Sequence, residues 1–248
     1  MVSEKSFLRG DIVNAVQDSG LATCMKRLEQ AEFDHQWKNI PSPYIEYNQD
    51  RVRELLDFTR LTSSYFVDKK ALDVGCGNGR YTYALKQLGA TVESFDISPE
   101  AIEKCRRINP NAYVFDLRNL QPNRSYDFVL CWGVLHHTSN PRESFTKAAS
   151  QVKSGGILHI MVYHEKTQKA YEEGRHLWKT MNLDEKTRYC EQMVQLHGGN
   201  VHGWFDAFNP EFNFSFLPKQ VKSWFEAEQF VDITLVKKYN INMRGIRK

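Results

Sequence analysis

The chain has 248 residues, 41% of them hydrophobic and 25% charged, with 33 basic against 30 acidic side chains. This is the composition of an ordinary globular protein, with room for one α/β domain and a cap. The net charge of +3 is too small to argue for a nucleic-acid partner, and no apolar run nears the roughly 20 residues of a bilayer span. The five cysteines are scattered and none forms a C-x-x-C pair, which argues against a zinc ribbon or a redox dithiol. The N-terminal stretch MVSEKSFLRGDIVNAV lacks the apolar core of a secretory signal, so the expected compartment is the cytoplasm, with free thiols.

Residues 1–68 read as a helical cap with an aromatic patch at Phe33, Trp37, Tyr44 and Tyr47. ALDVGC (71–76) is a short apolar strand running into glycines, followed by a helix over 81–88 that Gly89 stops. TVESFDI (91–97) is the second strand, and Ser98 and Pro99 supply the N-cap and first position of the next helix. AYVFDL (112–117) and YDFVLCWGV (126–134) are the third and fourth strands, the latter apolar enough to be buried on both faces. A helix over 141–152 and a turn at Gly155-Gly156 lead to the fifth strand, ILHIMVY (157–163).

Residues 164–217 break this rhythm with a charged helical run (164–197) and then an aromatic, glycine-containing loop, HGGNVHGWFDAFNPEFNFSF. A helix over 218–228 precedes two closing strands, VDITLVKKY (231–239) and INMRGIRK (241–248), which so short a link makes antiparallel. The expected fold is α/β: a Rossmann-like, seven-stranded, mostly parallel sheet with an antiparallel last strand. Residues 1–68 are its N-terminal cap, 69–163 its core, 164–217 an insert on the substrate side, and 218–248 the returning helix and strands. Both extra segments are expected to cover the carboxyl ends of the strands, where ligands bind in open α/β sheets.

Glycines 75, 77 and 79 sit on the first strand-to-helix turn, where a ligand would approach the backbone closely. The spacing is G-x-G-x-G. A dinucleotide fold would need glycine at Arg80, and the Gly-Lys-Ser/Thr of a P-loop is missing. Asp73 before the turn suits a cation rather than a pyrophosphate. Asp96 closes the second strand where an acid can accept both ribose hydroxyls. Asp116 closes the third and is placed to accept from an adenine amino group, and Trp132 and Ile97 are placed to sandwich the adenine ring. One adenosine-bearing, cationic ligand accounts for all of these.

ALDVGCGNGR (71–80), SFDIS (94–98), FDL (115–117), YDFVLCWGVLHHT (126–138) and VKSGGILHI (152–160) together resemble the class I S-adenosylmethionine-dependent methyltransferases, in the branch that acts on small molecules. The resemblance implies S-adenosyl-L-methionine as cofactor, S-adenosyl-L-homocysteine as product, and methyl transfer to oxygen or nitrogen of a small molecule. It makes Asp73, Gly75, Cys76, Gly77, Asn78, Gly79, Asp96, Ile97, Asp116, Leu117, Cys131 and Trp132 the candidate cofactor-binding residues. A hydroxyl acceptor usually needs a base. His136 and His137 after the fourth strand, because histidine titrates near neutral pH, and then His164 and Tyr163 at the end of the fifth, are the catalytic candidates.

His202 and Asp206 read as solvated loop residues. Trp204, Phe205, Phe208, Phe212 and Phe214 read one by one as packing residues, although the insert as a whole is expected to face the acceptor. No metal is called for. An RNA methyltransferase would show a basic stripe with interleaved aromatics, and the Lys and Arg residues here are dispersed. A non-catalytic partner subunit and an arsenite methyltransferase also compete, the latter needing clustered cysteines. The acceptor and the oligomeric state are open.

Overall fold

Strand β1 (Lys70–Val74) lies at the centre of a seven-stranded sheet in the order β3-β2-β1-β4-β5-β7-β6. The computed structural model describes residues 20–40, 47–169, 171–237 and 240–248. The expectations for residues 1–19 and for Tyr44 fall outside them. The other strands are β2 (Thr91–Asp96), β3 (Ala112–Val114), β4 (Tyr126–Trp132), β5 (Val152–Val162), β6 (Phe230–Lys237) and β7 (Ile241–Arg247). β1 through β5 pair in parallel, and β7 runs antiparallel to both β5 and β6, between which it is inserted.

Residue alternation builds a core on each face. Leu72 and Val74 of β1 join Val129 and Cys131 of β4 on one side, while Ala71 joins Phe128 and Leu130 on the other. The fourth strand is thus buried on both faces, as its composition requires. Two boundaries differ from the sequence reading. β3 stops at Val114, because Asp116 turns back to cap a short 3-10 turn, its side chain accepting from the Arg118 amide. β5 begins at Val152 rather than after the glycines, with a register irregularity between Tyr126 and Phe128 that takes up Gly155-Gly156.

The covering helices are α1 (Gly20–Asn39), α2 (Gln49–Thr59), α3 (Arg80–Gln87), α4 (Pro99–Arg106), α5 (Pro141–Ala149), α6 (Glu165–Lys169), α7 (Glu172–Trp178), α8 (Leu183–His197), α9 (Val201–Phe208) and α10 (Pro218–Ala227). Ser98 caps α4 as expected, its hydroxyl accepting from the Ala101 amide. The insert corrects the sequence reading. Its aromatic stretch is the helix α9, started by the Asn200 side chain accepting from the Gly203 amide and carried by Phe205 and Phe208, both buried. Ile40, Trp178, Cys190, Phe205 and Phe208 form a separate apolar cluster, so the insert packs on its own small core.

From β1 the chain moves outward through β2 and β3, then crosses back to β4 on the other side. This is the topological switch point at which open α/β sheets bind ligands. α1 and α9 are packed over it.

Candidate functional site

A cavity of about 240 Å³ opens at this switch point, lined by the ends of β1, β2 and β4 and the segment after β3, and roofed by residues of α1 and α9. Its floor is the glycine turn. Gly77 has φ +54°, and a Cβ there would lie 2.4 Å from the Trp37 ring of α1, so only glycine lets the turn and the roof approach this closely. Gly79, at φ +90°, has another role. A Cβ there would meet Cys105 Sγ of α4 at 2.7 Å, and Gly79 does not line the cavity. The Tyr47 hydroxyl fixes the turn from outside by donating to the Asn78 carbonyl at 2.7 Å.

Two buried carboxylates stand at the turn. Asp73 accepts the Thr82 hydroxyl at 2.6 Å, and burial pushes its carboxyl up to about 6. Asp96 accepts from the Gly77 amide and from the Ser98 amide, each at 2.9 Å and on a different oxygen. Burial raises its carboxyl to about 6 against those bonds. The Ile97 amide also bonds this carboxylate, whose remaining acceptor capacity is what a ligand hydroxyl would use.

Asp116 also lines the cavity, but its carboxylate is held in a fork by the Arg118 guanidinium, with Nε at 3.0 Å from Oδ1 and Nη2 at 2.8 Å from Oδ2. The free acceptor expected for adenine is therefore a paired one. Trp132 and Ile97 both line the cavity, yet one ends β4 and the other follows β2, strands that flank β1, so roughly two strand spacings, about 10 Å, separate their backbones. Trp132 packs instead with Phe58, ring centroids 3.8 Å apart, and Ile97 shares the β2–β3 side with Phe115 and Leu117. Asp73, Gly75, Cys76, Gly77, Asn78, Asp96, Ile97, Asp116, Leu117 and Trp132 are thus brought to one wall, whereas Cys131 is buried inside the sheet core.

The three candidate histidines separate, and Tyr163 does not line the cavity. His136 is fully buried, its ring tilted against Tyr163 at 3.8 Å and against His137 at 4.1 Å, with neither ring nitrogen hydrogen-bonded. Burial, with the neighbouring His137 charge, holds its pKa well below the ordinary histidine value, and it does not line the cavity. His164 also lies outside the lining. Its Nδ1 accepts from the Lys166 amide at 3.1 Å, and its backbone bridges to Phe216, because β5 ends before it. His137 does line the cavity. Its Nδ1 donates to the Phe212 carbonyl at 3.0 Å, and its Nε2 is buried and faces Asp206 Oδ2 at 3.5 Å.

The roof supplies residues that sequence reasoning passed over. His202 and Asp206 lie four apart on α9, on one helix face, and both line the cavity, as do Gln36 of α1 and Thr138 after β4. The i, i+4 spacing behind an Asn200 cap was the available signal. The insert aromatics Trp204, Phe205, Phe208, Phe212 and Phe214 are not in the lining, whereas Phe33 and Trp37 are. Among the described residues no cluster of three or more His, Cys, Asp or Glu could hold a metal ion, and no helix is long and apolar enough to cross a membrane.

A methyltransferase-domain family profile matches residues 44–235, and the chain belongs to that family. The ubiquinone biosynthesis O-methyltransferase of Schizosaccharomyces pombe is 31% identical over 125 residues, which is 44% of this chain and 46% of the relative. The Xanthomonas campestris enzyme of the same name is 34% identical over 100 residues, 37% of this chain and 41% of the relative. The chain therefore spans under half the length of these curated relatives. Among solved structures, magnesium protoporphyrin IX methyltransferase from Synechocystis with bound S-adenosylmethionine superposes with a TM-score of 0.57 at 14% identity, over 95% of this chain and 100% of that one. The 1,6-didemethyltoxoflavin N1-methyltransferase of Burkholderia thailandensis gives 0.56 at 14%, over 95% and 93%.

The methyl donor of this family is S-adenosyl-L-methionine, and the cavity fits it. Asp96 offers the acceptor pair for the ribose diol, Asp73 the buried negative charge for a cationic methionine end, and Gly75–Asn78 a turn that a side chain would fill.

Proposed function

We propose that this chain transfers a methyl group from S-adenosyl-L-methionine to a hydroxyl oxygen of a small, uncharged molecule, with His137 as general base. The observation that carries this reading is that His137, alone of the three candidate histidines, lines the cavity, its ring oriented by the Nδ1 contact to the Phe212 carbonyl. The bound donor brings a methyl group already activated on a sulfonium, so the protein's task is chiefly positioning. Asp96, held in place by the Gly77 amide, fixes the adenosine end. Asp73 balances the positive charge, and Phe33, Trp37, Val134 and Met161 keep water away from the reacting atoms. The His137 imidazole takes the hydroxyl proton as the oxygen gains the methyl group.

A lining of Asp73, Asp96, Asp116 and Asp206 with Arg80 supports a small acceptor over an RNA, whose phosphates call for cations. The N-terminal cap (1–68) and the insert (164–217) are the acceptor side in this reading, and 69–163 with 218–248 the cofactor side. Four buried free cysteines support a reducing, cytoplasmic setting.

The test has two stages. Calorimetry with S-adenosyl-L-methionine should show saturable binding, and its absence in folded protein would overturn the reading. Release of S-adenosyl-L-homocysteine is then followed with neutral phenols, alcohols and amines. Turnover confined to amines, unaffected by His137→Gln, would move the acceptor atom from oxygen to nitrogen.

A further inference from the structure

A line of four buried polar side chains runs beneath the glycine turn: Asp73 of β1, Thr82 of α3, Ser94 of β2 and Asn109 after α4. Asp73 and Ser94 are register partners on neighbouring parallel strands, so both side chains leave the sheet on the same face. Thr82, in the first turn of α3, sits between them, its Oγ1 2.6 Å from Asp73 Oδ2 and 2.9 Å from Ser94 Oγ. Asn109 Nδ2 is 3.1 Å from Ser94 Oγ and 3.1 Å from the Val92 carbonyl.

The direction of every bond in this line is set from its far end. The Val92 carbonyl only accepts, so the Asn109 amide nitrogen must face it, and the same nitrogen gives its second proton to Ser94. Ser94 Oγ accepts on that side, and its own proton goes to Thr82. Thr82 Oγ1 accepts from Ser94 and gives its single proton to Asp73. Cys105 Sγ, 4.0 Å from Thr82 Oγ1, is a further weak donor to the same oxygen. The line therefore presents Asp73 with a proton, and a hydrogen bond to the charged form of a carboxyl favours that form.

We infer that Thr82, its direction set by Ser94 and Asn109, is a positioning residue for Asp73: it keeps that carboxylate charged and oriented beneath the cationic methionine end of the cofactor. This rests on the methyltransferase reading above.

The groups around Asp73 divide by sign. Asp96 across the turn opposes its ionisation, and Arg80 of α3 favours it. The thiols of Cys76 and Cys131 are buried and held above the ordinary thiol value, so they stay neutral. The Thr82 hydroxyl is the strongest influence against burial, which even so leaves the carboxyl at about 6. Without that hydroxyl the carboxyl moves further up and is neutral over more of the range in which a cation has to bind. A threonine buried here for its volume alone could be valine.

The test uses the full chain. Carboxyl-carbon NMR follows Asp73, recognised by the signal that Asp73→Asn removes, in wild type, Thr82→Val, Thr82→Ser and Ser94→Ala. Asp73 should titrate about one pH unit higher in Thr82→Val and as in wild type in Thr82→Ser. In Ser94→Ala it should move the same way by a smaller step, although Ser94 does not touch it. In parallel, calorimetry with S-adenosyl-L-homocysteine, whose methionine end carries an ammonium, is run from about pH 6 to about pH 8. Thr82→Val should bind about five-fold more weakly than wild type at the lower end and less than about two-fold more weakly at the upper end, as Asp73 ionises. An Asp73 titration that Thr82→Val leaves in place overturns the proposal. So does a loss of affinity that the higher pH does not restore, which would make Thr82 a packing residue, and so does unchanged affinity in Asp73→Asn. If Thr82→Val does not fold, the Ser94→Ala titration decides in the same way. Failure of wild type to bind S-adenosyl-L-homocysteine strikes the methyltransferase reading instead, and the titrations still judge the Thr82 contact.

Discussion

The two halves of the cavity are built by different means. The floor comes from the stretch between Asp73 and Leu117, with Trp132 beside it, and its geometry is made by positive-φ glycines and by amides pointing at carboxylates. The roof comes from Gln36, His137, His202 and Asp206, with a Gln36–Asp206 hydrogen bond spanning 170 positions of chain. Local sequence dictates the first, and only the docking of α1 and the insert onto the sheet makes the second. The floor should therefore tolerate changes in the roof, and the roof should carry turnover without carrying cofactor affinity.

The sharpest way to break this division is His137→Gln. Turnover should fall at least about 100-fold, with cofactor affinity measured by calorimetry nearly unchanged. A matching loss of affinity would merge the two halves. Asp96→Ala should do the reverse, weakening cofactor binding by about 1–3 kcal/mol through loss of its hydrogen bonds. Unchanged affinity would mean that the ribose lies elsewhere. Gly77→Ala tests the contact between floor and roof. The left-handed backbone costs an alanine about 1–2 kcal/mol, which thermal unfolding should register along with a displaced Trp37.

The next effect depends on pH. Asp73 and Asp96 hold their protons to about 6 in the folded chain, against about 3.9 for an ordinary unfolded aspartate. Their contribution to stability is thus fully present below pH 4 and is lost as pH rises through 6. A cationic cofactor prefers the ionised forms, so the rise in Tm on adding it should grow between pH 5 and pH 7.5. A constant increment would separate these carboxylates from the cofactor. The smallest effect is expected for His164→Ala, which should leave turnover within about two-fold because the side chain is outside the cavity.

The same division governs what was legible in the sequence. Ser98-Pro99, the glycine turn and the apolar fourth strand each state their conformation within a few residues, and the cofactor wall followed from them. Cys131 and Gly79 were misplaced because strand parity and helix packing, not the motif, decide which way a residue faces. The acceptor side was harder. His136 and His137 are neighbours with the same chemistry, and a short 3-10 turn sends one under Tyr163 and the other to the cavity. His202 and Asp206 looked like loop residues because aromatics and glycines masked an eight-residue helix whose stability comes from tertiary packing.

One feature of the sheet bears on how such a cavity can be altered. β6 is antiparallel to β7, and β7 begins where Ile241 pairs with Val162 at the end of β5. The β6–β7 link therefore joins strands on the same side of the sheet as the ligand, where every other connection reaching that side leads into a helix or a 3-10 turn. A hairpin link takes added residues at an entropic cost that grows only slowly with length. Lengthening it would add chain on the cavity side of the sheet, at the β7–β6 edge beyond β5, without moving a single strand, which makes it a place to graft a new loop onto an existing fold.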